Sequence, residues 1–334
     1  MISPSAVSRR KVPVPILIGA KVALAAALLY FVLSKINIAE AAQRLTQALP
    51  SSLIAGALLA LSIPVVLAMR WWVLARPVVS WPDALGFTWI GSFYSLILPG
   101  AVSGDVAKGS LLALKSTGAR QAALPASILT DRLVGFAVML SFFCLSSLLV
   151  LRTAASPELA RFALPAAGAG AAAVGALLLG WTKACQRLVM AVLAYLPWAA
   201  ARSKFTKFAE ATFAYARQPG RLWQAAALSV VAQGLSVAMY IALLHSLRIH
   251  FGLIPAFALY SIISVLGLAP ITFAGIGLRD WFAVGFFSAY HLPAEAGVAF
   301  AWLCLAMSIL QAVIGGLWQF VIFLSRPPAA AASP

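Results

Sequence analysis

Apolar residues along this chain run on without the two- or four-residue alternation of a half-buried strand or helix. A helix needs about 20 apolar residues to cross a bilayer. Six runs meet that length, at 15–34, 52–75, 122–151, 160–181, 222–247 and 294–325. Two more apolar stretches are interrupted. The first extends from Ala84 to Ser116 and is broken at Leu98-Pro99-Gly100-Ala101-Val102-Ser103-Gly104-Asp105. The second extends from Leu253 to Tyr290 and is broken between Leu268 and Gly277, with Pro270 and Gly275 inside the break. Proline removes a backbone donor, and glycine permits non-helical paths. Each interrupted stretch is too short for two complete crossings, so both read as re-entrant helical hairpins.

Composition agrees with this pattern. Of 334 residues, 63% are hydrophobic and 10% charged, and the mean hydropathy is +0.98. Soluble domains are about a quarter charged, so a water-facing surface is excluded and the bilayer is the implied solvent. The net charge of +16 does not indicate nucleic acid, because the basic residues fall between apolar runs, as in loops facing anionic headgroups. Cys144, Cys185 and Cys304 have no CxxC spacing, and His245, His250 and His291 form no metal motif. No catalytic residue, cofactor or metal is predicted.

Charge bias orients the spans. Arg9, Arg10 and Lys11 place the N-terminus in the cytoplasm, and the run that follows is too long for a signal peptide. Arg70 and Arg76 then lie inside, as does the basic stretch from Lys183 to Arg221, which is expected to hold an interfacial amphipathic helix with Phe205, Phe208 and Phe213 facing lipid. The C-terminus is also cytoplasmic. Three regions result: a basic N-terminus at 1–14, one transmembrane domain at 15–326, and a disordered tail at 327–334. The domain divides into halves at 15–151 and 160–325, each reading span, span, broken hairpin, span, in opposite orientation. The breaks share the spacing Pro99-x4-Gly104 and Pro270-x4-Gly275. Matched interruptions in two halves point to a transport site. The fold expected is an all-α polytopic membrane protein with about six full spans, two re-entrant hairpins and an inverted repeat.

Of eight acidic residues, Asp105, Asp131 and Asp280 fall in or beside apolar segments, each near a basic residue: Lys108, Arg132 and Arg279. Ionisable groups there are costly unless paired or hydrated, and they mark pathways or structural ion pairs. Asp105 and Lys108 are spaced to share a helix face. Arg70, Lys108, Arg132 and Arg279 are the candidate phosphate binders, assisted by backbone N–H groups after Gly104 and Gly277. Ser127 and Thr130 are expected to bond backbone. Tyr94, Gln233 and Tyr240 read as packing residues. Trp71, Trp72, Trp81 and Trp89 read as an interfacial belt, and Gly315-Gly316 as a close helix contact.

These motifs together resemble the lysylphosphatidylglycerol synthase transmembrane (flippase-like) family. They are Arg70-Trp71-Trp72, Leu98-Pro99-Gly100 followed by Gly104-Asp105-x-x-Lys108, Asp131-Arg132-Leu133-Val134-Gly135, and Pro270 followed by Gly275-Ile276-Gly277-Leu278-Arg279-Asp280. The resemblance spans about 15–325. It departs from the family pattern at Ala101-Val102-Ser103, where more glycine is usual, and at Asp280, where glutamate is common. It implies an inner-membrane lipid translocase whose partners are the bilayer and a phospholipid or glycolipid, and whose substrate-binding residues are Arg70, Asp105, Lys108, Asp131, Arg132, Arg279 and Asp280. No synthase domain follows the last span, so aminoacyl transfer is not carried over. Homo-oligomerisation is left open. The alternatives are an intramembrane lipid-modifying enzyme and a small-solute carrier with inverted repeats.

Overall fold

The computed structural model describes residues 37–76, 78–97, 103–113, 120–153, 157–195, 199–268 and 277–324. The first expected span, the basic N-terminus, the tail, and Pro99, Gly100, Pro270 and Gly275 lie outside these residues. The described residues form twelve α-helices and no strand. In chain order they are α1 Ile38–Thr46, α2 Pro50–Ala75, α3 Trp81–Ile97, α4 Ser103–Ala113, α5 Arg120–Thr153, α6 Pro157–Gly180, α7 Lys183–Ala194, α8 Ala199–Phe213, α9 Pro219–Ser246, α10 Leu253–Leu266, α11 Leu278–Ala289 and α12 Ala294–Leu324.

Five helices (α2, α5, α6, α9 and α12) are long and apolar enough to cross a membrane. They coincide with five of the six runs expected, and the chain is an all-α multi-pass membrane protein. The interrupted stretches become the pairs α3–α4 and α10–α11, with 17, 11, 14 and 12 residues. At 1.5 Å per residue these reach only about 17–26 Å, short of the roughly 30 Å hydrocarbon core. The basic stretch holds two helices, α7 and α8. Phe205 is exposed, whereas Phe208 and Phe213 are half-buried, because α8 packs on α5.

The packing obeys an exchange rule. Let α2, α3, α4 and α5 correspond to α9, α10, α11 and α12. The contact of α3 with α12 then maps onto α10 with α5, α4–α5 onto α11–α12, and α2–α3 onto α9–α10, and each mapped pair is in contact. The central pair, α2 with α9, maps onto itself. Its helices run antiparallel. The Leu49 N–H before α2 donates to the Ser246 carbonyl ending α9 (2.8 Å), and Arg221 near the start of α9 donates to the Arg76 carbonyl after α2 (3.0 Å). Antiparallel self-mapping puts the pseudo-two-fold perpendicular to the spans, which is an inverted repeat.

Small residues and freed carbonyls set the helix contacts. A methyl on Gly315 of α12 would collide with the Trp89 carbonyl of α3, and one on Gly86 would collide with the Trp318 ring. Trp89 is therefore a buried contact residue, not part of an interfacial belt. Pro64 inside α2 has no N–H for the carbonyl of Ala60. That carbonyl instead accepts from Gln311 Nε2 of α12 at 2.6 Å.

Two helix ends depart from the usual chemistry. The Ile249 N–H reaches back to the Leu244 carbonyl, and the Leu292 N–H to the Phe287 carbonyl. These are Schellman closures, which favour glycine at the left-handed position. Here that position holds Arg248 (φ 59°) and His291 (φ 57°), at a cost of about 1–2 kcal/mol each.

Gly315→Val is expected to destabilise the detergent-purified protein by about 1–3 kcal/mol through overpacking. Gly175→Ala, whose methyl would meet open space, should leave thermal unfolding unchanged. Equal melting curves for the two variants would contradict the close α3–α12 approach.

Candidate functional site

The first half of the repeat encloses charge. Arg70 lies in the last turns of α2, Asp105 and Lys108 in α4, and Asp131 and Arg132 in α5. Arg70 binds Asp131 in bidentate fashion, Nε to Oδ1 at 2.7 Å and Nη2 to Oδ2 at 2.8 Å. Its Nη1 donates to Ser229 Oγ of α9 at 3.2 Å. One guanidinium thus ties three helices. Room for it comes from Gly135, one turn after Asp131, where a methyl would sit 2.7 Å from Nη1.

Asp105 does not pair with Lys108 in its own helix. It pairs with Arg132 of α5, joining α4 to α5. Lys108 is 4% exposed and places its ammonium 3.5 Å from the centroid of the Trp71 ring, a cation–π contact. It faces no carboxylate within ion-pair distance among the described residues. Trp71 is fully buried, donating Nε1–H to Ser127 Oγ at 3.2 Å, so it belongs to the site and not to an interfacial belt. Ser127 bonds the Leu124 carbonyl as expected, whereas buried Thr130 Oγ1 has no partner among the described residues. Three cations against two carboxylates leave the cluster with one excess positive charge.

These side chains line a cavity of about 330 Å³ between α2, α3, α4, α5 and α12. Its other polar walls are Thr88, Ser92 and Ser95 of α3 and Ser308 and Gln311 of α12. None of these five stood out in the sequence. The signal was there, since 88, 92 and 95 repeat at helical spacing within an apolar segment. Gly104 opens α4 against α3, and a methyl there would collide with the Gly91 carbonyl and Ser95 Oγ. Beside the polar cavity lies an apolar groove of about 510 Å³, lined by Val106, Leu124, Ile128, Leu129 and Phe136. Asp105 and Arg132 line both spaces.

The second half is filled differently. Tyr240, Tyr260 and Phe300 pack edge-to-face, with centroids 5.2 and 5.1 Å from Tyr240. Tyr260 donates to Gln233, so Tyr240 and Gln233 are packing residues. Arg279 and Asp280 are buried in α11, away from the first cluster. Asp280 accepts the Gly277 N–H at 2.8 Å, so a carboxylate of the chain already holds the N–H that the sequence reading offered to phosphate. Gly277 has φ 86°, which suits glycine. Arg279 Nε is buried with no partner among the described residues.

A family model, the lysylphosphatidylglycerol synthase TM region, matches residues 18–316. The chain belongs to this family. The match covers both halves of the repeat and every charged residue above, and makes this a membrane protein of a lipid-related family. No curated protein and no solved structure gives a match.

Breaking one side of the Arg70–Asp131 pair strands a buried charge, at a cost of about 3–5 kcal/mol. Asp131→Asn and Arg70→Met should each lower the unfolding temperature in detergent. The combined Arg70→Met/Asp131→Leu protein should recover much of the loss. Additive single effects would show the two side chains to be energetically independent.

Proposed function

We propose that this protein moves a lipid with a polar or anionic headgroup between the leaflets of a bacterial or archaeal inner membrane. The headgroup occupies the cavity of Arg70, Asp105, Lys108, Asp131 and Arg132, and the acyl chains follow the apolar groove between α4 and α5. The observation that carries this reading is the shared wall: the same Asp105–Arg132 pair borders a charged compartment and an apolar one. An amphipathic molecule fits both. The residual positive charge suits a phosphate or other anionic group, and Lys108, which has no carboxylate within ion-pair distance among the described residues, is the primary contact. Arg279 and Asp280 take the corresponding place in the second half, where Asp280 fixes the start of α11 and Arg279 supplies charge.

The two short helix pairs act as re-entrant hairpins of opposite orientation, entering from the cytoplasmic and outer faces. Both termini are cytoplasmic in this reading, and the protein is a translocase without catalytic chemistry of its own. The adjoining apolar groove favours a lipid over a small solute, which needs a closed central cavity.

Reconstitution into liposomes carrying fluorescent phosphatidylglycerol, aminoacylated phosphatidylglycerol or a glycolipid tests the proposal. Leaflet exchange above that of empty liposomes is expected for at least one anionic or aminoacylated lipid. Lys108→Met should slow it by about tenfold or more, the loss of one charge-assisted contact. Asp105→Asn should also reduce it. Exchange equal to empty liposomes for all three lipids, or a Lys108→Met protein as fast as wild type, would sink the reading.

A further inference from the structure

A second cavity, of about 550 Å³, lies at the opposite end of the α2–α9 pair from Arg70. It is enclosed by the turn between α1 and α2, the link from α9 to α10, and the link from α11 to α12. Its polar lining comes from Arg44, Gln47, Arg248, His250 and Tyr290. We propose that this cavity binds a phosphate-class oxyanion, independently of the site in the first half.

Four observations support the assignment. Donors converge there from separate elements. Arg44 gives Nη2 to Glu40 at 3.0 Å, yet its Nε is buried without a partner among the described residues. Tyr290 Oη is also buried and unpartnered, and burial raises its pKa, so it stays a hydroxyl donor at neutral pH. Next, α10 starts at the cavity with no side-chain cap, after Gly252, which lines the space. Pro255 has no N–H, and the Leu253 and Ile254 N–H groups are the first-turn donors at this end.

The third observation is the backbone at Arg248. It occupies a Schellman position at φ 59°, where glycine relieves strain. The second such position, His291 at φ 57°, lies between two lining residues, Tyr290 and Leu292. Of the two, the Arg248 side chain lines the cavity and supplies a permanent charge there. Finally, His250 stacks edge-to-face on His245, 5.1 Å between centroids, which holds one imidazole at the rim. Among the described residues no acidic side chain lines the cavity, and the Glu40 carboxylate is held by Arg44. The several directions of donation suit a tetrahedral oxyanion better than a planar carboxylate.

Calorimetric titration of the full chain in detergent decides the matter, with glycerol 1-phosphate, dihexanoyl phosphatidylglycerol and uncharged dihexanoylglycerol as probes. Binding of at least one phosphate compound, but not of dihexanoylglycerol, is expected. Arg248→Gly should weaken it by about tenfold or more while the unfolding temperature holds or rises, because the left-handed backbone now carries glycine. Tyr290→Phe should weaken it less. Binding of glycerol 1-phosphate identifies a site for soluble phosphates as well, and binding of the lipid alone identifies a headgroup site. The proposal fails if neither phosphate compound binds, if dihexanoylglycerol binds equally well, or if Arg248→Gly retains wild-type affinity. None of these outcomes depends on leaflet exchange.

Discussion

Charge at membrane depth must be neutralised where it stands, and in this protein the Arg70–Asp131 pair does that at the crossing of three helices. The two hydrogen bonds to Asp131 and the third to Ser229 fix α2 against α5 and α9 together. Everything else in the first half is arranged around that crossing. Gly135 is small because the guanidinium lies against it. Trp71, the next residue in α2, is carried into the interior, where it can present its face to Lys108. With Asp131 committed to Arg70 and Asp105 to Arg132, Lys108 is left as the cluster's cation without an ion-pair partner among the described residues. The excess positive charge is thus a consequence of how the pairs are formed.

The pseudo-two-fold relates scaffolds, not interiors. Each half presents a short helix pair, and the packing partners exchange faithfully. Within that frame, one interior holds charges and a polar cavity, and the other is filled by Tyr240, Tyr260, Phe287 and Phe300. Aromatic rings in edge contact leave little free volume, whereas five charged side chains and a stripe of hydroxyls need solvation or a ligand. The ends of the bundle differ as well. Near the start of α9, Arg221 and the Tyr215 hydroxyl seal the carbonyls that close α2. At the other end, the corresponding space is the cavity of Arg44 and Arg248.

Much of the scaffold was legible because long apolar runs have one use. Five spans fell where hydropathy put them, and the inverted pattern followed from counting. Charged residues were legible as a set, since aspartate is expensive in such segments. That they pair across helices was legible too, because the adjacent Asp131 and Arg132 point apart and each needs a partner on another element; the partner of Asp105 was not. Spacing of three puts Asp105 and Lys108 on one helix face, but Asp105 pairs with the half-buried Arg132 of α5, and Lys108 rests on the Trp71 ring. Asp280 read as a substrate contact and is a helix cap. Local capping was available in its position, three residues after Gly277. Trp71 read as a belt residue because tryptophan is common at interfaces, but its Ser127 and Lys108 contacts hold it in the interior. Gln311 could have been found from Pro64, since a proline in a span frees a carbonyl that some donor must meet. Which long-range donor meets it is a matter of packing, not of local pattern.

The Asp105–Arg132 pair then acquires a meaning that neither residue has alone. It is the partition between a charged cavity and an apolar groove, and it joins the short α4 to the long α5. A headgroup in the cavity with chains in the groove must pass this partition or displace it. An anionic headgroup can compete with Asp105 for Arg132, which opens the partition only when the replacement anion is present. The cost of separating the pair is then offset by the ligand itself, whereas a neutral amphiphile would leave Arg132 unpaired in a dry wall. In the proposed function, an anionic headgroup that takes Arg132 from Asp105 keeps that guanidinium beside a counter-charge, as Asp131 does for Arg70.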